Sequence, residues 1–72
     1  MLRLDSNALY QALDERRVTL GLSWKQVAAQ VGVSASTLTR TRLAGRLEVD
    51  GTLAMVSWLG RTVESFTREV PE

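Results

Sequence analysis

The sequence predicts an all-α fold: a compact five-helix domain spanning residues 1–72. Three observations predict it. Apolar residues recur at a spacing of about 3.6 rather than 2. Glycines fall between the apolar segments, where they act as punctuation. Serine or aspartate stands at the head of most segments, in the position of a helix N-cap. Strand signals are absent. A chain this short buries only about 60–65% of its unfolded surface, so its core must be built from local packing.

The first helix is predicted to start after Asp5 or Ser6, both good caps. Leu9, Ala12, Leu13 and the run from Arg17 to Leu20 follow helical spacing. Gly21 suits the left-handed residue that ends a helix, and Leu22 packs just beyond it. The second helix opens on "SWKQ". Ser23 caps it while Gln26, three residues on, reaches back in a capping box. Val27, Ala28 and Val31 make its inner face, Gly32 ends it, and Val33 supplies the contact past the cap. The third helix starts with Ser34 as its cap and runs to about Ala44, with Gly45 as the stop. The fourth begins at Asp50 and carries Leu53, Val56 and Leu59 inward before Gly60. A short fifth helix starts at Thr62 and places Val63, Phe66 and Val70 on one face.

Two helices joined by a three-residue turn cross steeply, so their backbones approach at the elbow. A large side chain there would hold them apart. Ala28 lets them close and Gly32 lets the chain reverse, while Val27, Val31, Val33 and Leu38 seal the wedge. This spacing describes a helix-turn-helix over about residues 23–44.

The net charge is only +1, but its distribution is uneven. From Arg16 to Leu47 there are six cations (Arg16, Arg17, Lys25, Arg40, Arg42, Arg46) and no acid. The flanking segments are both net acidic. A basic middle on a near-neutral protein is the pattern of a face that meets a polyanion, or of a solvated face that meets nothing. Zero cysteine excludes a disulfide framework and fits a reducing cytoplasm. Zero histidine with scattered carboxylates argues against a transition-metal site, and no cofactor is implied. No apolar run approaches the length of a membrane span, and the N-terminus lacks the features of a signal peptide. Neither a nucleophile–base pair nor a phosphate loop is present, so an enzyme is not expected.

"LSWKQVAAQVGVSASTLTR" at 22–40, followed by "DGTLAMVSWLG" at 50–60, resembles the lambda-repressor-like helix-turn-helix domains of bacterial and phage regulators, the xenobiotic-response-element family. The resemblance covers Asn7 to Phe66. It implies a five-helix DNA-binding domain whose third helix enters the major groove. The chain departs from the family at three points. Trp24 stands where a polar residue, often glutamine, opens the second helix and touches DNA. Thr41 stands where an aliphatic residue follows Leu38 by three, and Gly45 comes one residue late.

With Leu38 inward and about 100° per residue, Ser36 and Arg40 face about 160° away, with Thr37 and Thr39 on the flanks. Ala35 lies at the N-terminal end, where recognition helices meet base edges. Arg40 can bond guanine O6 and N7 together, and a threonine or alanine methyl can meet the thymine methyl. Ala35, Ser36, Thr39 and Arg40 are therefore the base-reading candidates; the resemblance assigns that role to Ala35, Ser36 and Arg40. Ser23, Lys25, Ser34, Thr37, Arg42 and Arg46 are the phosphate candidates, set around two helix N-termini with free N–H groups. Arg17 is read as bracing the core, with a phosphate contact as the other reading, and Trp24 as a half-buried packing residue, with a DNA contact through its indole N–H as the other reading. The wheel also carries a fault. It turns Arg42 toward the core and Leu43 outward. An irregular turn over Thr41–Ala44 that brings Leu43 in and frees Arg42 would resolve it.

The function expected is a sequence-specific regulator that binds double-stranded DNA, a repressor by resemblance. The alternative is a protein-interaction module on the same fold, an antitoxin-like or adaptor subunit, which the weak net charge favours. Val63, Phe66 and Val70 with Trp58 either form a homodimer contact through the C-terminal helix or close the monomer core. No small-molecule effector is evident. The expected location is the bacterial cytoplasm, on the nucleoid when bound to DNA.

Overall fold

The computed structural model describes residues 1–71. A short strand β1 (Leu2–Leu4) leads into α1 (Ser6–Leu20), α2 (Trp24–Val31), α3 (Ala35–Arg42) and α4 (Val49–Leu59). A 3₁₀ turn (Val63–Phe66) and a second strand β2 (Thr67–Glu69) complete the chain. The fold is mostly helical, with four α-helices and a small antiparallel sheet.

The caps act as their chemistry dictates. The Asp5 carboxylate accepts from the Ala8 N–H at 3.0 Å. Ser23 and Gln26 form the reciprocal capping box, at 3.2 and 2.8 Å. The Ser34 hydroxyl accepts from the Thr37 N–H at 3.2 Å. Gly21, Gly32 and Gly60 all hold left-handed backbone at helix ends. At Gly32 the Ala28 carbonyl accepts from both Gly32 and Val33, which reverses the chain between α2 and α3. The core gathers Leu9 and Leu13 of α1, Val27 and Ala28 of α2, Leu38 of α3, Met55 and Val56 of α4, and Phe66. Each large apolar side chain buried there contributes roughly 1.5–3 kcal/mol.

The expectation of five helices and no strand is corrected at the C-terminus. Residues 63–66 make one 3₁₀ turn, and the chain then extends to pair with β1 in the register Leu2↔Glu69, Arg3↔Arg68, Leu4↔Thr67. Asp5 N–H donates to the Phe66 carbonyl and Val70 N–H to the Met1 carbonyl, at the two ends of this ribbon. Phe66 is what directs the outcome. Its ring is 1% exposed, and a four-residue turn suffices to seat it in the core. The backbone beyond it then finds partners on β1 rather than within a helix.

The end of α3 also differs from expectation. The helix stops at Arg42 rather than Ala44. Gly45 N–H donates to the Arg40 carbonyl at 2.8 Å and Ala44 N–H to that of Thr41 at 3.3 Å, the two bonds of a Schellman motif. Its left-handed residue is Ala44, at φ 56°, and not Gly45. The irregular turn is present, but it leaves Leu43 64% exposed instead of turning it inward. In α4, Val56 is buried and Leu59 packs half-buried against the core as expected, but Leu53 is 47% exposed and its place on the inner face is taken by Thr52 and Met55. Among the described residues no helix is long and apolar enough to cross a membrane.

Candidate nucleic-acid interface

Helix α3 packs on α1 and α2 through Leu38 and Thr41. Thr41, at the position that resembles an aliphatic one, is completely buried. Its hydroxyl donates back to the Thr37 carbonyl at 2.9 Å and lies 3.6 Å from the Met55 sulfur. A buried hydroxyl is costly only without a partner, and this one has its partner inside its own helix.

The opposite side of α3 faces out. Ala35, Ser36, Thr39 and Arg40 are all exposed. The Ser36 hydroxyl has no protein partner among the described residues, so it is open to a ligand. Thr39 donates to the Ala35 carbonyl at 3.2 Å. Arg40 is folded back along the helix, with Nη2 3.4 Å from the Thr37 hydroxyl, which in turn lies 3.1 Å from that of Ser34.

The two flanks of this face differ in chemistry. On one side is an apolar cleft of about 160 Å³, lined by Tyr10, Trp24, Ala35, Leu38, Thr39 and Arg42. Trp24 stacks on Tyr10 with centroids 4.9 Å apart, and the Arg17 guanidinium lies 4.9 Å from the indole centroid. Arg17 also bonds Asp14 at 2.7 Å and the Leu22 carbonyl at 3.1 Å, so it braces α1 against the start of α2. Trp24 is half-buried in this packing. Its indole N–H has no protein acceptor and is not buried. The other tryptophan is different: the N–H of Trp58 is spent on Gln30 at 3.1 Å, under Arg16. On the other side of α3 is a recess of about 290 Å³ that includes Ser34, Thr37 and Arg40. It also includes Glu48 and Asp50 from the start of α4, which the sequence reading left out. Their signal was legible only as two acids ending the basic segment.

The phosphate candidates are thus divided. Ser23 and Lys25 sit beside Trp24 at the exposed head of α2, and Arg42 lines the cleft facing it. Ser34 and Thr37 belong to the recess. Arg46 joins neither group. It lines a separate hollow with Arg3, Ala44 and Leu47, beyond the C-terminal end of α3. Of the two readings of the C-terminal apolar residues, Phe66 takes the one that closes the monomer core, and among the described residues no α-helix follows α4. Exposed apolar surface lies instead in a groove made by Leu4, Leu47, Val49, Leu53 and Val63. Comparison of the chain with protein-family models, with curated proteins and with solved structures gives no match.

Proposed function

We propose that this chain is a helix-turn-helix regulator that binds double-stranded DNA and reads the major groove with α3. The observation that carries this reading is the outward face of α3. Ala35, Ser36, Thr39 and Arg40 stand free of the protein's own mass, on a helix pair that contains no acid. An α-helix of this width fits the major groove, and an arginine in its second turn can reach a guanine edge. The capped heads of α2 and α3 retain free N–H groups and the positive end of the helix dipole, which suit phosphate. Lys25 and Arg42 add charge on the cleft side. A domain docked this way occludes its site with no further contact, which makes repression its simplest output.

Two measurements test the proposal. The purified chain is titrated with random duplex DNA at about 50 mM salt. With about four phosphate contacts, log K falls against log[salt] with a slope near −3.6. Random-site selection then supplies a preferred duplex. Arg40→Ala is expected to weaken binding to that duplex by about 1–3 kcal/mol, with a smaller loss on random DNA. Equal losses on both would reduce Arg40 to a phosphate contact.

A protein-interaction module, of antitoxin-like or adaptor kind, is the second reading. One observation favours it: the groove of Leu4, Leu47, Val49, Leu53 and Val63, with Val49 73% exposed. An apolar groove of this kind suits a protein surface, whether a second copy of the chain or another protein. Failure of the natural chain and of acid-neutralised variants alike to bind random duplex at about 50 mM salt would transfer the assignment to this reading.

A further inference from the structure

The recess beside Arg40 carries an inference that rests on the DNA reading and concerns how tightly that face holds phosphate. The first turn of α4 abuts α3 directly: a methyl group added at Gly51 would lie 3.5 Å from the Thr37 Cγ2. Glu48 and Asp50, just before Gly51 in the chain, border the same recess as Ser34, Thr37 and Arg40. Neither acid is neutralised. Among the described residues the ion pairs are Met1–Glu69 and Arg17–Asp14, and none involves Glu48 or Asp50. Glu48 makes no side-chain capping bond either. Two exposed negative charges thus line the same recess as the arginine proposed to read bases. On the opposite flank the cleft holds Arg42 and no acid.

We infer that Glu48 and Asp50 act as an electrostatic brake on DNA binding: they oppose capture of the phosphate backbone on the α4 flank of α3. The duplex is then gripped from the Trp24–Arg42 flank, and random sequences, which depend on charge alone, are held weakly. The physics is short-ranged. A unit charge pair about 4 Å apart in water changes an equilibrium about fivefold, and salt near 0.1 M screens it beyond about 10 Å. Only acids beside the docked backbone have this effect. An acid elsewhere changes net charge and little more.

The test compares three proteins on one random duplex at about 50 mM and about 200 mM salt: the natural chain, Glu48→Gln/Asp50→Asn, and a charge-matched control, Glu15→Gln/Glu64→Gln, whose acids line neither flank. Thermal melts confirm that each is folded. The brake predicts that the recess variant binds random DNA about five- to thirtyfold more tightly at the lower salt, with the gain shrinking at the higher salt and the control within about twofold of the natural chain. Binding by the recess variant where the natural chain shows none also supports it. An equal gain in the control overturns the inference in favour of net charge. Unchanged affinity in the recess variant overturns it while leaving the DNA reading intact. No binding by any of the three overturns both.

Discussion

The end of α3 places its left-handed residue where the sequence has alanine and leaves the neighbouring glycine without that duty. Exchanging them, Ala44→Gly with Gly45→Ala, tests the geometry. A left-handed conformation costs an L-residue roughly 1–2 kcal/mol, so glycine at 44, with φ 56°, relieves about that much. Glycine also gives the unfolded chain more freedom, which takes back about 0.5–1 kcal/mol. Replacing Gly45 by alanine returns about 0.4–1 kcal/mol through the same unfolded-state effect, provided the site accepts a methyl. It does: the added carbon would lie 3.5 Å from the Arg40 carbonyl oxygen, an ordinary contact. The entropic terms nearly cancel in the exchange, leaving a net stabilisation of about 1–2 kcal/mol. For a domain of this length that raises the melting temperature by roughly 4–16 °C. Calorimetry on the exchange and on each single substitution measures it. A lower melting temperature for the exchange, or a loss above about 1 kcal/mol for Gly45→Ala alone, would refute the reasoning and return the left-handed residue to Gly45.

Further substitutions address the core and the elbow. Ala28→Leu is expected to destabilise by about 1–3 kcal/mol, because Ala28 is 7% exposed at the start of the chain reversal and has no room to grow; an unchanged chemical denaturation midpoint would mean the elbow is loose. Thr41→Val should leave stability within about 1 kcal/mol of the natural chain, since the hydroxyl's bond is local and the methyl keeps the volume, while Thr41→Ala should cost more by opening a void. A urea titration in which the valine variant loses as much as the alanine variant would show that the hydroxyl, absent from both, carries the stability. Phe66→Ala is expected to cost about 3–5 kcal/mol and to release the strand pairing at the chain ends; hydrogen exchange at Asp5 and Val70, whose N–H groups close the ribbon, reads that release directly.

The helix starts at Ser6, Trp24 and Ala35 were legible because a cap is a local event. Asp5, Ser23 and Ser34 each accept from the N–H three residues on, in their own helices, so a few adjacent side chains specify the start. The left-handed ends at Gly21, Gly32 and Gly60 were legible for the same reason. The outer face of α3 followed from one inward residue, Leu38, and a fixed angular step.

What only the tertiary structure decided is whatever joins distant parts of the chain. The strand pairing brings Leu2 against Glu69, and three-residue strands are too short to show alternation. The acids share a recess with Arg40 only because α4 folds back with Gly51 against Thr37. Phe66 can serve the core or an interface equally well as a sequence element, and packing put it inside. Ala44 shows the same limit at short range. A local preference of about 1–2 kcal/mol for glycine is small beside the burial that holds Leu38 and Thr41 in the core, so packing can set the left-handed residue one position early, at Ala44, at the expense of backbone strain.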